Sequence, residues 1–344
     1  MTKTPTIMHV NLAKGFRGGE RQTELLIKAL AKHFEVKQIV ACRDDSPLRD
    51  RLASVPNVSF LTANHQLSGH FAAPHVDIVH AHEAKAVHWA YLHKLLRQVP
   101  YILTRRVDTP IKEKWSNKAS YRNAKMRVGI STLIAEHIRD KHWGEVEQIP
   151  STLAHLEANR QEGEAFKAEF PNKILIGHVG ALVDRHKGQT VLIDAASLLE
   201  KSHPALHFVF FGDGADKEEL KAYAKHLGNI TWMGFKNNIG DYLPFLDMFA
   251  FPSRNEGLGS TLLDVMDAGV PIIASRVGGI PDIILDQETG LLVPPNDSKA
   301  LKEAIVTLYE SPSLQEQLKA GATARLINYT PQKMAERYMA IYTR

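Results

Sequence analysis

With 344 residues, 44% apolar and 23% charged, the chain reads as a globular protein too long for one ordinary domain. Its single cysteine, Cys42, excludes an internal disulfide framework and fits a reducing cytoplasm, and no window approaches a leader peptide or a transmembrane span. The formal charge of +4 hides an asymmetry. Met1–Pro150 carries 23 Lys and Arg against 14 Asp and Glu, the remainder 19 against 24, and Arg97–Arg127 alone holds nine basic residues against two acidic. A basic first half suggests an anionic partner; a solvated basic face is the alternative.

Short apolar runs alternate with amphipathic stretches, the pattern of parallel sheets covered by helices on both faces. In the first half the spacing predicts strands at Thr6–Leu12, Val36–Ala41, Val58–Leu61, Asp77–His80, Tyr101–Leu103 and Arg127–Ile130. Helices are expected at Glu20–His33, Lys85–Leu96 and Thr132–Lys141. The stretch Ser151–Asn172 is polar and reads as a connection ending in a short helix. A second register follows, with strands at Ile174–Gly180, His207–Phe211, Met248–Phe251 and Pro271–Ala274, and helices at Gln189–Leu199, Lys217–Leu227 and Leu262–Ala268. Pro331–Tyr342 reads as an amphipathic helix started by its proline. The expected division is an N-terminal domain over 1–150, a connection over 151–171, a second domain over 172–329, and a closing helix over 330–344 that packs back on the first domain. Glycines stand where strands hand over to loops, at Gly15, Gly180, Gly212, Gly214, Gly257 and Gly259, which is where open α/β sheets bind ligands.

The most informative segment is Pro252-Ser-Arg-Asn-Glu-Gly-Leu-Gly-Ser-Thr-Leu-Leu-Asp264. It combines a strand end, a Gly-rich turn holding Glu256, and a helix start carrying Asp264 two turns later. Amides of such a turn receive phosphate or sugar oxygens, while carboxylates accept from hydroxyls. These residues alone specify a phosphorylated sugar compound, a coenzyme ribose included. Thr231-Trp-Met-Gly-Phe235 precedes the segment; Gly278-Gly-Ile-Pro-Asp282 and Thr289-Gly-Leu-Leu-Val-Pro294 follow it.

In this order the motifs resemble those of the family 4 (group 1) retaining glycosyltransferases. Glu256 stands as the first acid of the Glu-x7-Glu signature and Asp264 in place of the second. The resemblance covers the second half closely and the first more loosely. It implies an α/β fold of the GT-B class, two Rossmann-like domains facing each other across a cleft. It also implies that Glu256 holds the hydroxyls of the donor sugar and that Gly257, Leu258 and Gly259 meet its ring and diphosphate. Gly234 and Phe235 would border the donor, and Asp264 would bond the nucleotide ribose, with a side chain shorter than Glu by one methylene, ~1.5 Å.

Gly180-Ala-Leu-Val-Asp-Arg-His-Lys-Gly188 resembles the family loop whose Arg and Lys grip the diphosphate. Lys187 matches; Ala181 stands where the Arg belongs, and Arg185 is expected to supply that charge. Cations matter there because breaking the sugar–phosphate bond builds charge on the departing diphosphate. No Asp-x-Asp occurs, so no dedicated metal site is expected. Gly15-Phe-Arg-Gly-Gly-Glu20 lies between the first strand and first helix, and by the resemblance Gly18 and Gly19 close over the donor, with Arg17 and Glu20 as acceptor or phosphate contacts.

In Asp77-Ile-Val-His-Ala-His-Glu83, His80 and His82 alternate onto one face. A metal site would need a third ligand that the spacing does not offer, and by the resemblance His82 contacts the donor sugar or the acceptor. Finally, Arg105 and Arg106 end a strand and lead to Ile111, Trp115 and Tyr121 among lysines. They suit a phosphorylated acceptor or an anionic bilayer, or form a solvated loop with a buried Trp.

The expected activity is retaining transfer of a hexosyl unit from a nucleotide diphosphate sugar to an acceptor hydroxyl, without a cofactor or metal. The acceptor would be an anionic glycolipid or saccharide of the cell envelope, such as lipopolysaccharide core. The enzyme would then be cytoplasmic, with peripheral contact to the inner face of an anionic plasma membrane. With no second carboxylate at a nucleophile position, a front-face mechanism is favoured. A GT-B sugar-nucleotide epimerase and a non-catalytic two-lobed sugar-binding protein are the competing readings. No helix-turn-helix or RNA-binding signature is present, so nucleic acid is not an expected partner.

Overall fold

Runs such as Ile7-Met-His-Val-Asn11 and Leu206-His-Phe-Val-Phe-Phe211 are buried throughout, and strands covered on both faces belong in parallel sheets. The computed structural model, which describes residues 4–344, contains two such sheets. The first holds β1 (Thr6–Asn11), β2 (Lys37–Cys42), β3 (Val58–Thr62), β4 (Ile78–Ala81), β5 (Tyr101–Arg105), β6 (Met126–Gly129) and β7 (Val146–Gln148). The second holds β8 (Ile174–Val179), β9 (Leu206–Phe211), β10 (Ile230–Gly234), β11 (Met248–Phe251), β12 (Ile272–Ser275) and β13 (Leu291–Val293).

The orders are β3-β2-β1-β4-β5-β6-β7 and β10-β9-β8-β11-β12-β13, every pairing parallel. Each is a doubly wound sheet whose strand order reverses at one place, between β1 and β4 and between β8 and β11. At that place the loops leaving neighbouring strands diverge and open a crevice for ligands.

The chain divides into one unit running to Thr152 and resuming at Tyr329–Arg344, and another at Leu153–Asn328. In the first, Ile7, Ile78, Ile102 and Val128 of the sheet pack with Leu26 and Leu30 and with Met334, Ala335, Tyr338 and Ile341 of the last helix, Pro331–Tyr342. In the second, Phe208, Phe210, Ala250 and Ile273 pack with Leu192, Leu199, Leu301 and Leu308 from the covering helices. The connection crosses at Thr152. Its helix, Arg160–Ala168, is capped by Asn159 and anchored by buried Phe166.

The edge strands β7, β10 and β13, and the helices Trp115–Arg122, Ser298–Glu310 and Pro312–Leu326, are elements that apolar spacing did not reveal. Sheet edges are only partly buried here, so their sequences lack the continuous apolar runs of the central strands.

Candidate functional site

In the second unit the two Gly-rich motifs leave β8 and β11, the neighbours at the reversal. Gly188 lets them close on each other: its φ is +65°, and a Cβ there would lie 2.1 Å from the Pro252 carbonyl oxygen. Only glycine fits that conformation and that approach. Asp184–Lys187 forms a single helical turn. Its Asp184 carboxylate accepts from the Thr190 amide at 2.7 Å and pairs with Arg254. Arg254 also donates to the Asp184 carbonyl at 2.6 Å, to Thr190 Oγ1 at 2.8 Å and to Asn296 Oδ1 at 2.6 Å.

The clamped turn presents Lys187 to Glu256, with Nζ 2.5 Å from Oε2 and side chains 23% and 16% exposed. Lys187 Nζ also stands 5.2 Å from the centre of the Phe251 ring. The Glu256 backbone is fixed from a third loop: Gly279 N–H donates to its carbonyl at 3.0 Å, and Gly278, at φ +54°, leaves the space a side chain would fill. Beneath the pair, His178 is buried and donates from Nδ1 to the Ala250 carbonyl at 3.1 Å. Burial holds it down at about pKa 4, so it is neutral near pH 7.

Arg185 is not brought to this pair. It is exposed, and residues two apart on a helical turn face different ways, so it cannot follow Lys187 toward Glu256. The cation placed behind the loop is Arg254, whose donors are spent on Asp184, Thr190 and Asn296. Asp264 lies in the helix Thr261–Asp267, and its Oδ1 accepts from the Ala154 amide at 2.8 Å. The shortened acid thus tethers the connection, a partner that motif spacing could not indicate. Leu258 is buried, Gly259 turns at φ +84°, Gly234 ends β10 at φ +69° with open space about it, Gly180 borders Lys187, and Phe235 is 73% exposed.

In the first unit, Gly18 and Gly19 open the helix Gly18–His33. Glu20, expected as a ligand contact, instead accepts from the Arg17 backbone N–H at 2.9 Å and caps that helix; the Arg17 side chain is exposed. Glu83 joins the loops at the reversal, accepting from Leu12 N–H at 3.2 Å and from the amides of Lys85 and Ala86. The two arginines diverge as neighbours at a strand end do. Arg105 donates to the Thr109 carbonyl and to Tyr121 OH, which fastens it to its own loop. Arg106 donates from Nη1 to Ser151 Oγ at 3.4 Å, while its Nε and Nη2 are buried without a partner. Trp115 is not buried: it is 79% exposed, with Lys112, Lys114 and Lys118 exposed around it.

The third imidazole that spacing did not offer is His9, opposite His80 in the β1–β4 register. Ligand atoms of His9, His80 and His82 lie within 4.8 Å of one another, all buried. Hydrogen bonds occupy both ring nitrogens of His9, to His82 and Gln38, and of His80, to Tyr342 OH at 2.6 Å and Thr104 Oγ1 at 2.8 Å. Burial, neighbouring imidazoles and Arg106 hold His80 and His82 well below the usual histidine range. A metal ion would have to displace that network beside a guanidinium, so the cluster is better described as a hydrogen-bonded one.

Residues 159–325 match the model of the family described as Glycosyl transferases group 1. This stretch, nearly the whole second unit, belongs to that family. The chain is 27% identical over 248 residues to the alpha-D-kanosaminyltransferase of Streptomyces kanamyceticus, covering 67% of this chain and 62% of that protein. It is 29% identical over 183 residues to the lipopolysaccharide core biosynthesis mannosyltransferase LpsB of Rhizobium meliloti, covering 50% and 52%. The chain thus spans about half the length of the curated relatives it matches. Its fold is that of Anabaena HepE, solved with UDP-glucose, with a TM-score of 0.83 at 17% identity over 98% of this chain and 99% of the other. That is the GT-B class.

Proposed function

We propose that the chain is a retaining glycosyltransferase that moves a hexosyl unit from a nucleotide diphosphate sugar to an acceptor hydroxyl. The observation that carries this reading is the Lys187–Glu256 pair at the β8–β11 reversal, within the stretch that belongs to the group 1 family. Each side chain is the other's counter-charge. A donor would take over both partnerships, its diphosphate drawing on Lys187 and its sugar hydroxyls donating to Glu256. As the sugar–phosphate bond breaks, charge grows on the diphosphate oxygens, and a fixed ammonium stabilises that charge more than it stabilises the bound donor. Lys187 and Glu256 would position and stabilise without forming a covalent intermediate, and the departing oxygen would receive the acceptor's proton.

UDP-glucose, held by HepE, is the first donor to assay. Wild-type protein should transfer sugar with retention, read by proton NMR of the product anomer. Glu256→Gln and Lys187→Met should each lose about 100-fold or more in kcat, the scale of removing one such stabilising group. Inversion, or near-wild-type turnover in both variants, rejects the assignment. Conversion of donor to its epimer without an acceptor would favour the epimerase.

The acceptor we infer is an anionic cell-envelope glycolipid. The buried, unpartnered donors of Arg106 and the exposed Trp115 among lysines support this, because Trp and Lys together suit the interface of an anionic bilayer. Co-sedimentation with anionic vesicles should fall steeply between low and high salt. Equal recovery with neutral vesicles speaks against it. Among the described residues no helix is long and apolar enough to cross a membrane.

A further inference from the structure

His82 follows β4 at the reversal of the first sheet, is 2% exposed, and has one ring nitrogen, Nδ1, buried without a partner. What that nitrogen can do depends on where the ring carries its proton, and a chain of hydrogen bonds decides it. Gln38 Nε2 donates to the Ile27 carbonyl at 3.0 Å. A carbonyl only accepts, so the amide group of Gln38 must turn its NH2 there and its oxygen toward His9. Gln38 Oε1 lies 3.0 Å from His9 Nε2 and can only accept, so His9 carries its proton on Nε2. Burial pushes His9 down to about pKa 4, so the ring is neutral and Nδ1 holds a lone pair. His9 Nδ1 lies 3.0 Å from His82 Nε2, so His82 must supply the proton between them. His82 is itself neutral, through burial and the nearby His80, His9 and Arg106. Its remaining nitrogen, Nδ1, is therefore a bare lone pair.

We propose that Gln38 and His9 are positioning residues that fix His82 as its Nε2–H tautomer, so that His82 meets a ligand only as a hydrogen-bond acceptor. The group that satisfies it is a hydroxyl. The half-buried Arg106 beside it offers unpartnered Nε and Nη2 donors, which suit the oxygen of the same hydroxyl or of a neighbouring one. The two orphan sets are complementary: a sugar hydroxyl gives its proton to His82 and its lone pairs to Arg106, whereas a carbonyl could satisfy only Arg106. A site built to pair with a hydroxyl rejects the analogue lacking it far more strongly than an apolar site would, because its own buried groups stay unpaired. The identity of the ligand as a sugar rests on the glycosyltransferase reading; the tautomer does not.

The test separates the two. Long-range proton–nitrogen NMR correlation of the 15N-labelled full chain near pH 7 reads the protonation of each imidazole without any substrate. Signals of His82 and His9 are assigned by their loss in His82→Asn and His9→Asn. The expected spectrum has His82 and His9 both protonated on Nε2 only. An Nδ1–H tautomer or an imidazolium at His82 overturns the proposal, whatever the activity. Gln38→Leu removes the acceptor that orients His9, and His82 should then populate both tautomers while KM for the ligand bound there rises about 10-fold with a smaller change in kcat. An unchanged His82 spectrum in Gln38→Leu would mean that Gln38 serves packing alone. If Gln38→Leu does not fold, the wild-type spectrum still decides. Failure to turn over any nucleotide sugar would sink the functional reading and leave this spectrum untouched.

Discussion

Asp264 occupies a position where a motif names a role and the local geometry adds another, while Arg185, expected beside Lys187, lies exposed. Asp264 accepts from the Ala154 amide at 2.8 Å, so the acid that would reach a ribose also ties the connection to the second unit. A charged acceptor on a backbone amide is worth ~1.5–3 kcal/mol, and Asp264→Ala should lower the free energy of unfolding in urea by about that amount. An unchanged midpoint would remove the tether from the account. That Glu256 and Lys187 come together follows from the Gly-rich turns leaving neighbouring strands; in the sequence the resemblance to family motifs singled them out, and their pairing is visible only in the fold. The Arg254 clamp on Asp184 was not legible, since it joins residues 70 apart and depends on which of several cations the loop buries.

At the scale of elements, the central strands and the edge strand β3 were read, whereas the edge strands β7, β10 and β13 were not. Burial on both faces demands uninterrupted apolar runs, as in Met248–Phe251, whereas Val146-Glu-Gln148 needs only partial cover. The bounds of the last helix, Pro331–Tyr342, follow from its proline and its periodicity. Its polar partners do not: Tyr342 OH meets His80 Nδ1 across 262 residues of chain. Tyr342→Phe keeps the packing and strands a buried ring nitrogen, at a cost of ~1–3 kcal/mol. Urea unfolding should register that loss, and Met339→Ala, on the same helix but only partly buried, should cost less. The reverse ranking would show that packing, not the hydrogen bond, holds this helix.

At the scale of the whole molecule, the fold class was legible because two doubly wound sheets repeat one pattern. The third member of the histidine cluster was not, since His9 reads as one more residue of a buried strand until β1 and β4 are set side by side. The cluster has a consequence for pH. An unfolded imidazole takes its proton below about pH 6.5, while His9 and His178, held down to about 4 by burial, stay neutral. Between those values the unfolded chain binds more protons, so stability falls as the pH falls, by ~1.4 kcal/mol per pH unit for each such group. Urea midpoints should therefore drop between pH 6.5 and 4. The drop should be steeper for the first unit, which holds His9, His80 and His82, than for the second, whose site holds His178. Flat midpoints across that window would contradict the neutral assignment.

The return of Tyr329–Arg344 to the first unit also orders events in time. A ribosome delivers Ile7, Ile78, Ile102 and Val128 early, yet Met334, Tyr338 and Ile341, which complete their core, come last. At ~5–20 residues per second, making Leu153–Asn328 takes roughly 10–35 s. Throughout that interval the finished sequence of the first sheet waits on the nascent chain without the helix that completes its core. The half of the protein made first thus completes its core after the half made second.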